Sequence, residues 1–478
     1  MTLEWLSVGL EVAAIHIAGI FAAGHAIMNT RTSQGAIAWA VALVAVPYVT
    51  LIPYLFLGRT HFAGYVDEAT FDIARRSARN VSANEPVLLS FREQHHPAMD
   101  PSLHRYRAVE KLVGHTFVAG NDLRLLKDGE ATFSAILDAI ATARDYILIQ
   151  FFVVRSDRLG MALQAALLAR AADGVKVYFL YDGIGSHSLD RGYIDALRLG
   201  GVEIHAFSIR RFRNRFQLNF RNHRKIVVVD GRQAFVGGHN VGVEYLGEKP
   251  PLAPWRDTHV AIRGPVIGQI QRTFSEDWYW VTQQLPAVRP AMEQAGDMLC
   301  LGLASGPADA QETCSLFFVQ AIHAARRRVW LASPYFVPDS AVSAALRLAV
   351  LRGVDVRVLV PSRPDHLTVF QASLFHTYEA VHAGVKVYRY QPGFMHQKVM
   401  LIDDDTASVG SANLDNRSFR LNFELNVLTV SPSFASQVEA MLLVDFAHAT
   451  QVAAEEFAGL TRLRKVAMHV ARLFAPIL

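Results

Sequence analysis

Cysteine is nearly absent from the 478-residue chain, which contains only Cys300 and Cys314. Two thiols cannot build a disulfide framework, and no group of cysteine and histidine residues has the spacing of a zinc site. The chain also lacks the basic residues before its first apolar stretch, and the small-residue cleavage site behind it, that a signal peptide needs. We therefore expect neither a disulfide-stabilised scaffold nor a bound metal.

Neither sign of charge is in large excess, because 47 basic residues stand against 43 acidic ones and the formal net charge is +4. With a pI near 9.0, this balance permits nucleic acid or anionic lipid as a partner and does not choose between them. Apolar residues make up 51% of the chain, and the mean hydropathy is +0.19. These values are high for a purely soluble protein and predict a membrane segment.

Two long apolar runs occupy the N-terminus, at residues 3–27 and 36–57. Each is close to the roughly 20 residues that cross a bilayer as a helix, and a polar turn separates them. We predict a transmembrane helical hairpin at residues 1–58, with a buried soluble hairpin as the alternative. Residues 59–115 are interpreted as a connector along the membrane surface. By the positive-inside rule, basic residues after the second run place the rest of the chain in the cytoplasm. They are Arg59, Arg75, Arg76 and Arg79.

The string H-x-K-x4-D occurs twice, and a small-residue turn and an asparagine follow each copy. The residues are His223, Lys225, Asp230 and Asn240 in the first copy, and His396, Lys398, Asp403 and Asn413 in the second. Each string has the pattern of a β-strand with a buried apolar run, so the histidine and the lysine share one face. The same period turns the two aspartates away from that face, which favours a structural role for them.

Two such strands side by side would surround one cavity with two imidazoles, two ammonium groups and two amides. This set suits a phosphodiester, because one histidine can attack phosphorus while the other protonates the leaving oxygen. The lysines and asparagines can hold the non-bridging oxygens. Imidazole fits both tasks because its pKa lies near neutrality.

The catalytic part is an internal repeat. Segments near residues 143–149, 174–180 and 201–204 return near residues 325–331, 353–359 and 384–387, each as an apolar run after a helical stretch. Alternating helices and strands predict an α/β layered domain in each half. We place the first half at residues 116–295 and the second at residues 296–478.

The doubled motif resembles that of the phospholipase D superfamily, and the chain resembles bacterial cardiolipin synthases of the two-span type over essentially its whole length. Beside the N-terminal runs, the shared strings follow the order of that family, at residues 181–186, 222–225, 255–257, 333–338 and 413–418. Met395 and Gln397 differ from the usual neighbours of the second histidine. We interpret that departure as a matter of packing.

The resemblance implies two similar α-β-α layered halves that form one active site, with no metal and no nucleotide cofactor. It implies a reaction that joins two phosphatidylglycerols into cardiolipin and glycerol through a phosphohistidine. His223 is then the nucleophile, and His396 is the general acid and later the general base. Asp257 and Glu424 stand where the superfamily places its histidine-orienting carboxylates. Spacing does not show which acid serves which histidine.

The implied partners are anionic phospholipids, phosphatidylglycerol and cardiolipin, in the bacterial cytoplasmic (inner) membrane, where a multi-pass hairpin would embed the enzyme. Nucleic acid is not expected, because a nuclease of the superfamily has no need of such a hairpin. A hydrolytic phospholipase D would share every catalytic residue and differ only in using water. The intact doubled motif argues against a non-enzymatic scaffold. Donor and acceptor pairing and oligomeric state stay open.

Two basic segments lie outside the motifs. The first half has an extra stretch at residues 208–222, with the candidate headgroup-binding residues Arg210, Arg211, Arg213 and Arg215. Their guanidinium groups would bind anionic headgroups at the mouth of the site, and a solvated loop is the alternative. Near the C-terminus, apolar residues at helical spacing alternate with basic ones over residues 462–477. This pattern predicts a basic amphipathic helix at a membrane interface, with a core-packing helix as the alternative.

Overall fold

The computed structural model describes residues 2–30, 32–58, 62, 65, 101–207, 219–289 and 293–475. Predictions for Arg59, Arg75, Arg76 and Arg79, for Arg210, Arg211, Arg213 and Arg215, and for Ile477 lie outside these residues. The chain forms two compact units. One contains the described residues up to 65 together with 219–221, and the other contains the rest.

Three apolar helices make up the N-terminal part: α1 (Thr2–Asn29), α2 (Ser33–Ala45) and α3 (Pro47–Leu57). Helix α1 packs against α2, and Ala26 and Leu43 belong to their small buried core. Among the described helices, only α1 is long and apolar enough to cross a membrane, over Gly9–Asn29. The second run is not the single helix that the sequence predicted. It breaks at Val46, because Pro47 has no backbone N–H and its ring clashes with the carbonyl four residues earlier.

Two short helical segments begin the described part of the larger unit. A 3-10 helix (Pro101–Tyr106) and α4 (Arg107–Val113) precede the first strand. Leu103, Tyr106 and Val109 are buried there in a core made mainly by the second half. Their spacing of three gives this segment an apolar face, through which residues 101–113 pack in the globular unit. The course of residues 59–115 along a membrane surface stays a prediction.

The described residues of the first half form nine strands and four helices. The strands are β1 (Val118–Lys127), β2 (Tyr146–Phe151), β3 (Lys176–Asp182), β4 (Glu203–Phe207), β5 (Arg221–Asn222), β6 (Ile226–Val229), β7 (Gln233–Gly237), β8 (Trp255–Arg256) and β9 (Thr258–Arg263). The helices are α5 (Asp128–Ala141), α6 (Arg158–Ala172), α7 (Arg191–Leu199) and α8 (Ile267–Thr282), with a 3-10 turn at Val243–Leu246.

The second half repeats this plan and adds elements at its end. Its strands are β10 (Met298–Ser305), β11 (Arg328–Ala332), β12 (Phe336–Val337), β13 (Asp355–Pro361), β14 (Lys386–Tyr390), β15 (Phe394–Met395), β16 (Val399–Ile402), β17 (Thr406–Gly410), β18 (Leu414–Asp415), β19 (Asn422–Val430) and β20 (Ala449–Gln451). Its helices are α9 (Thr313–Ala324), α10 (Ser340–Leu351), α11 (Leu367–His382), α12 (Asn416–Arg420), α13 (Pro432–Ala447), α14 (Glu455–Ala458) and α15 (Arg462–Leu473).

Strand order confirms the internal repeat. The first half has the order β1-β9-β7-β6-β2-β3-β4, and the second has β10-β19-β17-β16-β11-β13-β14. In each half the three strands at one end are parallel and the others pair antiparallel. Antiparallel pairing of β1 with β10 joins the two halves into one sheet.

Alternate residues of the strands enter different cores, as period two requires. Ile147 and Val227 face the outer core of the first half, with residues of α5, α6 and α7. Leu148 and Val228 face a central core shared with the second half, which also contains residues of α8 and α13. The second half has its own outer core under α9 and α10. The fold is therefore the predicted pair of α-β-α layered halves, with β7 and β9 against β17 and β19 at the centre.

Candidate active site

The motif histidines lie in the short loops that precede β6 and β16, and not within those strands as predicted. The backbone N–H of His223 donates to the carbonyl of Phe423 at 2.9 Å, and that of His396 donates to the carbonyl of Arg256 at 2.8 Å. Both acceptors belong to the opposite half. The two motif strands are also not neighbours in the sheet. The histidines are positioned by contacts between the halves.

Each imidazole is hydrogen-bonded to a carboxylate from the opposite half. Nδ1 of His223 lies 3.0 Å from both oxygens of Glu424, and Nδ1 of His396 lies 2.7 Å from Oδ2 of Asp257. An ionised carboxylate only accepts hydrogen bonds, so Nδ1 donates and Nε2 carries the lone pair. Both predicted acids are therefore in contact with a histidine, and the open question of their pairing has a geometric answer.

Burial governs the ionisation of the two imidazoles. Each histidine is 8% exposed, and loss of solvation lowers the pKa of both His223 and His396 to about 4. Burial alone would raise the pKa of Asp257, but the charges of His239, Lys398 and His396 outweigh it and lower that pKa. The balance at Glu424 is the same, with His223 and Lys225 lowering its pKa against burial. Neutral imidazoles thus face ionised carboxylates.

The motif lysines are fully enclosed beside the histidines. Lys225 Nζ donates to the carbonyl oxygen of His223 at 2.6 Å, and Lys398 donates to that of His396 in the same way. Burial lowers the pKa of both ammonium groups, that of Lys398 to about 8. The charge of each lysine also lowers the pKa of the other motif's histidine. The two copies of the motif therefore converge on one cluster.

The aspartates of the motif contact backbone amides at the far end of each motif strand. Asp230 accepts from the N–H groups of residues 144–146 at 2.8–2.9 Å. Asp403 accepts from those of residues 326–328 at 2.8–3.1 Å. Both aspartates have positive φ, 53° and 50°, where a short side chain that bonds the local backbone is tolerated. They hold the loop that enters β2 or β11 and do not join the histidine cluster.

The two motif asparagines make protein contacts. Asn240 Oδ1 accepts from the Val153 N–H at 3.1 Å, and its Nδ2 donates to the Tyr245 hydroxyl at 3.2 Å. Asn413 Nδ2 donates to Asp415 at 3.3 Å, while its buried Oδ1 has no hydrogen-bond partner among the described residues. Each Nδ2 carries two N–H donors and makes one of these hydrogen bonds, so direct phosphate binding by either amide, as predicted, stays compatible with these contacts.

Sequence comparison is consistent with this geometry. Residues 136–278 and 318–445 match the family described as cardiolipin synthase, PLD-like domain, and residues 17–59 match the phospholipase D-nuclease N-terminal family. The chain is 56% identical to cardiolipin synthase A of Pseudomonas aeruginosa (strain LESB58), over 98% of this chain and 96% of that one. The identity to cardiolipin synthase A of Pseudomonas putida (strain GB-1) is also 56%, over 98% of each chain. The chain belongs to the cardiolipin synthase family of the phospholipase D superfamily.

A solved structure shares the fold at low identity. Phosphatidylserine synthase from Haemophilus influenzae Rd KW20 aligns with 78% of this chain and 100% of its own, with a TM-score of 0.61 and 14% identity. This likeness concerns the fold alone. The alignment covers most of this chain, including residues of both halves.

Two buried polar networks behind the histidines were not predicted. Arg224 donates to Asp277 at 2.8 Å and to the carbonyl of Glu424 at 3.1 Å. Arg256, beside the other orienting acid, donates to both oxygens of Asp445 at 2.8 and 2.9 Å. The available signal was a repeated pair of an aspartate and an aromatic residue, Asp277-Trp278 in α8 and Asp445-Phe446 in α13.

Gln397 belongs to the second of these networks. Its Nε2 donates to Asp445 at 2.8 Å, and its Oε1 accepts from the Thr258 hydroxyl at 3.0 Å. Gln397 therefore has polar bridging contacts beyond the packing role inferred from the sequence. In each network, the residue that follows a motif histidine, Arg224 or Gln397, donates to a buried aspartate on a helix. The arginine of each network, Arg224 or Arg256, belongs to the first half.

A glycine makes room for one orienting acid. A Cβ atom at Gly238 would lie 2.0 Å from Oδ1 of Asp257, so no other residue fits there without displacing the carboxylate. Ser411 occupies the equivalent position of the second half, and its hydroxyl donates to Glu424 at 2.5 Å. The Gly/Ser difference between the motif copies thus follows the different positions of the two acids. The sequence alone identified only a small-residue turn.

Proposed function

We propose that this phosphatidyltransferase of the cardiolipin synthase family joins two phosphatidylglycerol molecules into cardiolipin and glycerol through a phosphohistidine. The observation that carries the proposal is the convergence of two imidazoles, each hydrogen-bonded through Nδ1 to a buried carboxylate of the opposite half, with two buried lysines beside them. Nucleophilic attack and proton donation at one phosphodiester need such a pair.

In the first step, Nε2 of His223 attacks phosphorus of one phosphatidylglycerol. A nitrogen–phosphorus bond forms while the bond from phosphorus to the headgroup oxygen breaks. That oxygen takes the proton of Nε2 of His396 and leaves as glycerol. Glu424 stabilises the positive charge that develops on the His223 ring.

In the second step, a glycerol hydroxyl of another phosphatidylglycerol attacks the phosphorus. Nε2 of His396 is neutral after the first step and takes the hydroxyl proton. The bond to His223 breaks, and cardiolipin is released. His396 is protonated again, so the cycle closes with no net proton change.

The protonated state of His396 depends on the substrate. In the empty site burial lowers the pKa of this imidazole to about 4. A bound phosphodiester places a negative charge beside the ring, which favours imidazolium and raises its pKa. Lys225 and Lys398 carry the positive charge that suits the non-bridging oxygens. Substrate binding would thereby prepare the acid that its own cleavage needs.

We further propose that the enzyme is a multi-pass protein of the bacterial inner membrane, with its catalytic unit in the cytoplasm. The apolar α1 supports one crossing, and α2 with α3 would supply the return. The basic residues after α3 in the sequence favour the cytoplasmic orientation. The candidate headgroup-binding residues Arg210, Arg211, Arg213 and Arg215 stay part of this proposal. Anionic phospholipids are the partners in this account, and nucleic acid is not.

Product analysis with the purified enzyme in detergent tests the function. Phosphatidylglycerol labelled in its headgroup glycerol and, separately, in its acyl chains should give labelled free glycerol and labelled cardiolipin in equal amounts. Release of glycerol with phosphatidic acid as the lipid product would instead mean that water resolves the intermediate, and the enzyme would be a hydrolase.

A further inference from the structure

The C-terminal helix α15 is attached to the catalytic unit by one narrow face. Met468, Ala471 and Ala475 are buried, and the two alanines pack with Val337 and Ala372. The guanidinium of Arg472 lies 4.6 Å from the ring centre of Phe375 on α11. The hydroxyl of Thr461 caps the first turn. The helix is therefore ordered and fixed in orientation by the protein.

The opposite face of α15 is apolar and exposed. Leu463, Val466, Val470 and Leu473 are 80%, 57%, 49% and 76% exposed. Their spacing of three, four and three residues places them in a single stripe on the helix surface. At about 100° per residue, the centre of that stripe lies roughly half a turn from the packed face. A terminal helix that served only the core would bury this stripe.

The charges around the stripe indicate what covers it. Helix α15 contains four permanently basic residues and no acidic one: Arg462, Arg464, Lys465 and Arg472. All four are exposed, and their long side chains can extend past an apolar surface that is buried in lipid. A second copy packed through the same face would bring two such helices together and place like charges side by side. An anionic bilayer removes the apolar stripe from water and complements the charge.

We propose that α15 is a membrane-docking face that lies in the interfacial layer of an anionic bilayer. This inference rests on the proposed function, because it takes the histidine cluster to be the site that receives lipid from the bilayer. Helix α11, on which α15 packs, begins just after Asp365. The Asp365 carboxylate accepts from the Tyr335 hydroxyl. Burial lowers the pKa of Lys398, and the charge of Asp365 partly offsets that effect. Docking through α15 would therefore hold a wall of the histidine cluster close to the lipid headgroups.

Site-directed fluorescence in the full-length, reconstituted enzyme tests the docking. The native Cys300 and Cys314 are buried, so Val466→Cys and Val470→Cys can be labelled singly with an environment-sensitive dye. Leu351→Cys is the matched control, because Leu351 is the last residue of α10 and is 83% exposed. In vesicles that contain brominated phosphatidylglycerol, we expect strong quenching at residues 466 and 470 and little at residue 351. Equal quenching at all three positions, or none at 466 and 470, would overturn the proposal.

Two further measurements separate the alternatives. Energy transfer between copies labelled at residue 466, at a lipid excess that dilutes the enzyme, would mean that a second copy covers the stripe. The double variant Leu463→Ser with Leu473→Ser should raise the apparent KM for vesicle lipid by about tenfold, with kcat in detergent unchanged, because two large apolar side chains no longer insert. Leu351→Ser should change neither constant. An unchanged KM in the double variant would contradict the docking role.

Quenching does not require turnover, so the two proposals can fail separately. Quenching without cardiolipin synthesis would leave the docking face and reject the function. Cardiolipin synthesis without quenching would support the function and reject the docking face.

Discussion

At the scale of single residues, each imidazole of the site depends on one carboxylate. Asp257 and Glu424 accept from Nδ1 of His396 and His223, and in the proposed transfer they would face the charge that each ring acquires. Asp230 and Asp403 belong to the same motifs but bind backbone amides instead. The two acids within the motifs therefore hold the chain, and the two acids outside them contact the histidines.

Substitution of the acids should separate these roles. Asp257→Asn and Glu424→Gln should each lower kcat by about 10²–10⁴-fold, because an amide no longer stabilises the imidazolium and can favour the wrong tautomer. Asp230→Asn is the matched control. It should cost about 1–3 kcal/mol of stability through weakened bonds to the amides, with less than a tenfold change in kcat of the folded enzyme. Steady-state kinetics and thermal unfolding in detergent measure both, and similar kcat losses in all three variants would contradict the division.

Gly238→Ala should affect the same acid without touching its chemistry. The new methyl group would meet the Asp257 carboxylate at 2.0 Å, so the acid must move away from His396. We expect at least a tenfold loss of kcat, by analogy with the cost of misplacing a catalytic group by about 1 Å. Gly192→Ala on α7, where a Cβ atom meets nothing within 4 Å, should retain activity. Wild-type kcat in Gly238→Ala would show that the close approach has no catalytic importance.

Stability should fall as the pH is lowered from about 6.5 to 4. Burial lowers the pKa of His223, His239 and His396 to about 4, whereas an unfolded histidine titrates near 6.5. The unfolded state then binds more protons within this window, which costs up to roughly 3 kcal/mol per histidine. His239→Leu removes one such group, so unfolding at low pH should take up about one proton fewer and stability should depend less steeply on pH. Thermal midpoints in detergent between pH 7.5 and 4.5 test this, and identical slopes in the two proteins would refute it.

At the scale of elements, α8 and α13 each carry one buried aspartate to the back of the site. Asp277 bonds Arg224, and Asp445 bonds Arg256 and Gln397. Both arginines lie next to a histidine or an orienting acid in sequence. The helices thus fix the backbone from which the catalytic side chains extend.

Loss of one such aspartate should be costly. Asp277→Asn removes the carboxylate that Arg224 contacts at 2.8 Å, and breaking such a buried ion pair should lower stability by about 3–5 kcal/mol. Asp195→Asn is the control, since Asp195 pairs with Arg198 at an exposed site on α7 and should cost less than about 0.5 kcal/mol. Denaturation of both variants in detergent measures the difference. Equal losses of stability would mean that Asp277 contributes no more to stability than an acid of an exposed ion pair.

Several elements were predictable from local sequence. The apolar runs of β2, β3, β4 and β6 and their counterparts follow from periodicity and from the repeat, because a buried strand needs little tertiary context to be recognised. The break in the second N-terminal run could have been inferred from Pro47, whose effect on a helix is local. The position of the histidines before β6 and β16 could not, because their backbone partners lie in the opposite half.

The site shows the same limit. The doubled motif was recognised from residue types and spacing, and the two candidate orienting acids were taken from the resemblance to the superfamily. Their cross-half pairing depends on how the two halves close on each other, which spacing does not encode. Asp277 and Asp445 are separated from the motifs by tens of residues, so only the fold shows that they contact Arg224 and Gln397.

At the scale of the whole molecule, the two halves form one enzyme because neither holds a complete site. The nucleophile proposed for the first half is oriented by an acid of the second, and the proposed general acid of the second is oriented by an acid of the first. Pairing of β1 with β10 and the shared central core keep these distances fixed. The candidate active site therefore lies at the interface between the two halves and needs residues of both.

The central claim is that phosphatidyl transfer passes through His223. Phosphatidylglycerol labelled at its phosphorus should be mixed with the wild-type enzyme, stopped within one turnover by alkaline denaturation, and followed by peptide mapping. We predict that the label resides on the peptide that contains His223, is stable to base and labile to acid, and disappears when unlabelled phosphatidylglycerol is added before the stop. Label on the His396 peptide, or no labelled peptide while cardiolipin forms at the normal rate, would contradict the account.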